Sequence, residues 1–412
     1  MGHTRQVIKG VSFIGFLRFS TKVIGFFETI ILARILAPAQ FGAYGIALLV
    51  LGLLEVITET GVNMILVQEK EIEKYISSAW VVSIGRGMII TVLMLISAPF
   101  TANFFHSPQS LSLLTFLALV PFIRGFINPG VVKLQKNLLF GKDFSYRFTI
   151  LVIDTITTIT VTYLTRSPIG IAFGLLAGVV VEVLLSFVVI KPRPGFDFKR
   201  EYVSKIFHGG KWITANGIFD YLFENSDNIV VGRILGASSL GIYQIAYSLA
   251  VMPLTEMGKV FQYVGTPILV NISDNVLRLR NEFAKTIFIN FVLALPFVVI
   301  IICFPGFFIW LLGDKWSGIL PVLPILVCVG FVRSMTGASS ALFYSMRRQK
   351  IPMLTALITS IGLVILIIPL VYYYGIVGAA IAALISSLLA VPFTGIFVWK
   401  EFRTMKKKQY EQ

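Results

Sequence analysis

Fifteen charged side chains interrupt stretches that are otherwise apolar, and they are the residues whose chemistry needs an account. Six are basic: Arg18, Lys22, Arg86, Arg124, Lys259 and Arg333. Nine are acidic: Glu28, Glu55, Glu59, Asp154, Glu182, Asp220, Glu224, Asp227 and Glu256. Arg18 and Lys22, at i and i+4, share one helical face. A guanidinium and an ammonium at that spacing suit an anion with several oxygens, held by charge-assisted hydrogen bonds. Asp220, Glu224 and Asp227 also share a face, and no basic residue lies between Lys211 and Arg233 to offset them. Three carboxylates there repel unless Na⁺ or protons occupy the site, with Asn228 as an extra oxygen ligand. The competing reading is structural pairing. Arg18 reaches Glu55 across a helical hairpin, Glu256 pairs with Lys259 at i,i+3, and Asp220 and Glu224 pair with Arg333 or Lys259.

The elements that carry these charges follow from composition. Of 412 residues, 56% are apolar and 13% charged, against about 25% charged in an ordinary soluble domain. Mean hydropathy is +0.86. A soluble enzyme, a disordered scaffold and a disulfide-stapled module are all excluded. Helices that cross a bilayer need about 20 mostly apolar residues. That ruler gives twelve windows: 11–32, 40–63, 77–98, 110–130, 146–165, 169–190, 210–231, 239–262, 284–304, 319–344, 352–373 and 376–399. A charge facing lipid at mid-bilayer costs about 2.5 to 3.5 kcal/mol, so the basic groups inside these windows must meet a wet cavity, an opposite charge or the interface. With the N-terminus inside, the cytoplasmic segments hold 25 Lys and Arg and the outer loops four, Arg34, Arg166, Arg233 and Lys315. That bias places both termini in the cytoplasm and accounts for the net charge of +15 without nucleic acid. Cys303 and Cys328 lie in apolar runs, the three histidines are far apart, and no P-loop, H-E-x-x-H or supported G-x-S-x-G occurs. Neither an enzyme signature nor a metal site is expected.

The chain also matches itself at an offset of 199. Residues 33–47 and 232–246 share Arg, Ile, Leu, Gly, Tyr, Ile and Ala at the same register, Glu28 falls on Asp227, and Gly10 falls on Gly209. Six windows fit in the offset, an even number, so both halves enter the membrane the same way up. This is the pattern of a parallel repeat about an axis along the membrane normal. The expected fold is all-α and polytopic, with two six-helix lobes: residues 1–190, a connector at 191–208, and 209–412 with a basic cytoplasmic tail.

The segments 33–47 and 232–246, together with Gly313-Asp-Lys-Trp316 and Gly375-Ile-Val-Gly-Ala-Ala380, resemble the Wzx-type polysaccharide flippases of the multidrug, oligosaccharidyl-lipid and polysaccharide exporter superfamily. The resemblance covers nearly the whole chain. It implies a cavity opened alternately to each side of the plasma membrane. The implied cargo is a polyprenyl-pyrophosphate-linked oligosaccharide, carried from the cytoplasmic to the outer leaflet. Arg18 and Lys22 are then the first candidates for its pyrophosphate, with Arg86, Arg124, Lys259 and Arg333 behind them. No cofactor is implied beyond Na⁺ or proton coupling. Membrane lipids and a polysaccharide polymerase are the expected partners. A drug or metabolite antiporter of the same superfamily is the first alternative, since a small cargo would not require the Arg18 and Lys22 pair. A membrane glycosyltransferase or ligase is the second, and the short outer loops argue against it.

Overall fold

The computed structural model describes residues 20–69, 71–197 and 199–410, and among them the chain is helical with no strand. Helix α1 is described over 20–35. The first unit continues with α2 (Pro38–Ile57), α3 (Val62–Gln68), α4 (Ile72–Phe104), α5 (Pro108–Leu117), α6 (Leu119–Arg124), α7 (Val132–Lys136), α8 (Phe140–Thr165) and α9 (Ile169–Val189). Helix α10 (Arg200–Ala250) leads into α11 (Met252–Asn271), α12 (Val276–Cys303), α13 (Pro305–Leu312), α14 (Leu323–Ser345) and α15 (Lys350–Tyr410).

Eight of these are long and apolar enough to cross a bilayer, or nine if the bent pair Pro108–Arg124 and Pro129–Lys136 is one span. Two of the eight contain a turn. Gly236 (φ 82°) interrupts α10 and Gly375 (φ 60°) interrupts α15. Both sit in the left-handed region that glycine enters without a side-chain penalty. The sequence windows fall mainly on helix in their described parts, although 40–63 leaves helix between Ile57 and Val62 and 319–344 turns at 320–322 before α14. The window at 110–130 is broken into α5 and α6, and that at 239–262 runs through a turn at Val251 into α11.

Local chemistry sets the ends. Ala37 is extended (φ −83°, ψ 157°) and Pro38 opens α2, where its missing N–H costs nothing. The Gln40 side chain accepts from the Ala37 N–H at 2.8 Å and donates to the Arg166 carbonyl at 3.1 Å. At the other end the Thr58 hydroxyl donates back to Leu54 O at 2.7 Å, and left-handed Gly61 (φ 68°) turns the chain into α3. The face that α2 buries is made of Gly42, Ala43, Gly45, Ile46 and Ala47. Small residues let neighbouring backbones approach where lipid offers no hydrophobic drive for helices to associate. Ala43, Ala47 and Leu51 pack with Ile90, Met94, Leu113, Leu114 and Leu117 in one hydrophobic cluster.

Helices α8 and α9 show the same principle at closer range. Gly170, Gly174 and Gly178 recur every four residues, opposite Thr162, Thr158 and Asp154 at the same spacing. A Cβ at Gly170 would collide with the Thr162 backbone, and one at Gly174 with the Thr158 hydroxyl. In the second unit Gly258 of α11 lies against the Ser334 backbone of α14, and Asn290 of α12 donates to the Ser334 carbonyl at 3.2 Å. Outward-facing side chains remain apolar: Leu164, Val188 and Phe100 are each more than 70% exposed, a surface suited to lipid.

The chain forms two compact units, residues 1–222 and 223–412. The sequence pattern puts the connector at 191–208, yet the division falls inside α10. The reason is visible in the contacts of 191–222. Ser77 and Ser78 of α4 bond to the backbone of Gly195, Asp197 and Lys199, and the Phe196 ring lies 4.8 Å from the Trp80 ring. Further along, Thr214 donates to Glu59 O at 2.5 Å and Tyr221 to Leu49 O at 2.7 Å. The connector and α10 as far as Leu222 therefore belong to the first unit.

Replacing Gly174 or Gly170 by alanine is expected to destabilise the protein by about 1–3 kcal/mol through overpacking, read as a lower midpoint of thermal unfolding in detergent. Gly395, where a Cβ meets nothing within 4 Å, is the control and should leave the midpoint unchanged.

Candidate functional site

Four of the intramembrane charges meet in the first unit. Glu55 lies in the last turn of α2 and Glu59 just beyond it, with Thr58 between them. Arg86 comes from the middle of α4 and Arg124 from the end of α6. The Arg124 Nη1 stands 2.6 Å from Glu55 Oε1, and the Arg86 Nη2 stands 3.1 Å from Glu59 Oε2. Arg86 also donates to the Glu55 carbonyl at 2.6 Å and, through Nε, to the Thr58 hydroxyl at 3.3 Å. Its planar fork thus closes the C-terminal end of α2, where free carbonyls carry negative partial charge. Glu59 is held in place by the Gly61 N–H, which donates to its Oε1 at 2.9 Å.

These four side chains are between 27% and 39% exposed, and all line one cavity of about 590 Å³. Arg147, Glu182, Asn63, Asn128 and Gln135 share the lining. Arg147 is itself tied to Asp143, at 3.0 Å. Three arginines face three glutamates among apolar side chains, so the lining is charged but formally neutral. Its ion pairs are partly wet, and such pairs hold weakly enough to exchange partners. An anion with several oxygens could take the arginines from their carboxylates.

A second constellation belongs to the second unit. Asp227 is 3% exposed; the Tyr243 hydroxyl donates to its Oδ2 at 2.9 Å and the Asn228 backbone N–H to its Oδ1 at 2.8 Å. The Asn228 side-chain amide adds a longer contact at 3.3 Å. One turn beyond Tyr243, the Tyr247 hydroxyl accepts from Arg333 Nη1 at 2.7 Å, and Arg333 Nε donates to Ser387 Oγ at 3.2 Å.

The sequence candidates therefore separate. Arg86 and Arg124 come together in the cavity, Arg333 sits in the tyrosine network, and Lys259 pairs with Glu256 at 3.0 Å on an exposed face. Lys22 is exposed on α1, and Arg18 lies outside the described residues. Glu55, a sequence partner for Arg18, pairs with Arg124. Asp227 and Asn228 are joined by hydrogen bonds, whereas Asp220 and Glu224 are exposed on α10; among the described residues neither forms an ion pair with Arg333 or Lys259. No group of three His, Cys, Asp or Glu converges to hold a metal ion among the described residues. Sequence reasoning missed Arg147, Gln135, Asn63 and Asn128 as lining residues, and both tyrosines. Tyr243 carried one signal, since it is the shared tyrosine of the 199-residue register. Glu28, which falls on Asp227 in that register, instead accepts from the Thr155 hydroxyl at 3.0 Å.

Fold and site together define a polytopic helical membrane protein with a charged internal cavity. The fold is shared with the lipid II flippase MurJ in an inward closed conformation, at a TM-score of 0.72 and 17% identity over 96% of this chain and 90% of that one. It is also similar to an inward-facing multidrug resistance MATE family transporter, at a TM-score of 0.62 and 18% identity over 94% and 96% of the two chains. Residues 31–321 match the model of the polysaccharide biosynthesis protein family, and the chain belongs to that family. Among relatives, the lipopolysaccharide biosynthesis protein WzxC of Escherichia coli (strain K12) is 26% identical over 80% of this chain and 68% of its own length.

A double-mutant cycle on Glu55→Gln and Arg124→Gln, read by thermal unfolding, should give a coupling of about 0.2–1 kcal/mol, as for a partly exposed pair. Arg86→Lys should destabilise more than Arg124→Lys, because an ammonium cannot reproduce the three-way contact of the Arg86 fork.

Proposed function

We propose that this chain moves a polyprenyl-diphosphate-linked oligosaccharide from the cytoplasmic to the outer leaflet of the plasma membrane, for surface polysaccharide biosynthesis. Membership of the polysaccharide biosynthesis family supports the cargo class. The observation that carries the reading is the neutral, partly wet cavity in which Glu55 and Glu59 hold Arg124 and Arg86. The carboxylates occupy the arginines while no cargo is present, and the diphosphate replaces them, keeping each guanidinium paired throughout. Lys22 adds cationic reach on α1, and Arg18, which precedes it by four positions in the sequence, is assigned the same role. No bond is made or broken in such a step, so the chain acts as a transporter and not as an enzyme. Both termini face the cytoplasm in this reading, and a polysaccharide polymerase receives the product on the other side.

Energy for the step comes from a Na⁺ or proton gradient acting on the carboxylates of α10. Asp227 is the central ligand, with Asn228 beside it and Asp220 and Glu224 as the carboxylates a cation meets on the way along α10. The buried Asp227 carboxylate is the group whose occupancy by a cation or proton changes its bond to Tyr243.

Export of surface polysaccharide in cells lacking the native flippase tests the cavity. Arg124→Gln and Arg86→Gln should each lower export about tenfold or more, as expected for loss of a charged hydrogen bond to the cargo. The double variant Glu55→Gln with Arg124→Gln should stay equally low; recovery to wild-type export would mean that Arg124 serves only as the counter-ion of Glu55. In vesicles with imposed Na⁺ or proton gradients, Asp227→Asn, and separately Asp220→Asn with Glu224→Gln, should abolish gradient dependence. Full dependence in both would place coupling elsewhere.

A further inference from the structure

A second cavity, of about 440 Å³, opens at one end of the second unit where α14 ends and the last turns of α15 pass. Arg347 and Arg348 line it together with Glu401, Thr404, Met346 and Met405. The Arg348 Nε stands 3.2 Å from Glu401 Oε1, while Arg347, in a left-handed turn (φ 57°), forms no ion pair among the described residues. The pocket thus holds one uncompensated positive charge. Arg278, Arg280, Lys350, Lys400 and Arg403 are exposed nearby in the chain elements that meet here, so the surrounding field is positive as well.

The floor has the opposite character. Met346 and Met405 pack onto the cluster formed by Leu269, Leu279, Phe283, Ala341 and Leu342. A small soluble anion would use the guanidinium rim and leave these methionines in water. A ligand with a charged head and an apolar body uses both. Depth is marked by α15 itself. Trp399 is 61% exposed, with the Arg403 guanidinium 5.1 Å from its ring centroid. An exposed indole beneath an arginine is the arrangement of the membrane–water interface. Thr404 and Met405 follow Trp399 by little more than a helical turn, about 8 Å at the helical rise, which puts the pocket at the level of lipid headgroups.

We propose that this pocket seats an anionic phospholipid, its phosphate between Arg347 and Arg348 and its glycerol end against Met346 and Met405. Basic pockets between membrane helices on the side richest in Lys and Arg take acidic headgroups for this reason. The site is separate from the cavity of the first unit and rests on nothing about the transported cargo.

The test is lipid retention by the full chain, released from detergent micelles into a mass spectrometer after titration with phosphatidylglycerol, phosphatidylcholine or inorganic phosphate. Phosphatidylglycerol should be retained over phosphatidylcholine, and Arg347→Gln should weaken retention about fivefold, the effect of one surface charge near an anionic lipid. Arg347→Lys should keep retention near the wild-type value. Thr404→Glu, which adds a negative charge at an exposed lining position, should weaken it by the same route if Arg347→Gln fails to fold. Equal retention of phosphatidylcholine, or indifference to both Arg347→Gln and Thr404→Glu, would overturn the proposal. So would inorganic phosphate raising the unfolding midpoint as far as phosphatidylglycerol does, since that assigns the pocket to a soluble anion.

Discussion

An ionised side chain inside a bilayer has no bulk water to turn to, and the structure of the first unit depends on how its four central charges meet that condition. Glu55, Glu59, Arg86 and Arg124 satisfy it twice, by pairing with one another and by facing a cavity of about 590 Å³. Their positions dictate the backbone around them. Helix α2 must stop at Ile57 so that its terminal carbonyls and Glu59 can meet Arg86. The window 110–130 must likewise break into α5 and α6 to bring Arg124 to Glu55. A continuous span there would have been better for hydropathy and worse for the charges, whose burial without partners costs several kcal/mol each.

The two units meet the same condition by different chemistry. In the first, formal charges oppose one another across a wet cavity, and exchange of partners is cheap because water assists it. In the second, Asp227 and Arg333 are each held by neutral hydroxyls, Tyr243 and Tyr247, one helical turn apart. A phenol donates to a carboxylate and accepts from a guanidinium without adding a charge. The Tyr243 hydroxyl and the Asn228 N–H together let the Asp227 carboxylate stay 3% exposed with both oxygens hydrogen-bonded.

Much of this was legible in the residues. Hydropathy is a local sum, so the apolar windows fall mainly on helix where the chain is described, and the i,i+3 pair of Glu256 and Lys259 formed as spacing predicts. Pairings that need tertiary proximity were not legible. Glu55 and Arg124 are 69 residues apart and Arg333 and Tyr247 are 86 apart, and nothing in either local pattern specifies the partner. Within 191–208, which look like a linker by composition, serines on α4 bond to the backbone of Gly195, Asp197 and Lys199 and the Trp80 ring meets Phe196, and those contacts belong to no local pattern.

The self-similar segments show how one geometry survives a change of residue. The break between the first two helices of each half falls at Ala37 and at Gly236, 199 positions apart. At Ala37 the following Pro38 enforces it, since a residue before proline is pushed out of the helical region toward extended backbone, and Ala37 sits at φ −83°, ψ 157°. At 236 no proline follows, and the chain instead turns through φ 82°, a conformation that only a glycine adopts without strain. Proline in one copy and glycine in the other stop the helix at the same register. The arginines just ahead of each break, Arg34 and Arg233, are thereby kept at helix ends rather than in mid-span. Glu28 and Asp227 are held two turns back, where each meets a hydroxyl. Both segments carry a carboxylate at the same sequence distance ahead of the break, and they differ in the hydroxyl that meets it, Thr155 in one and Tyr243 in the other.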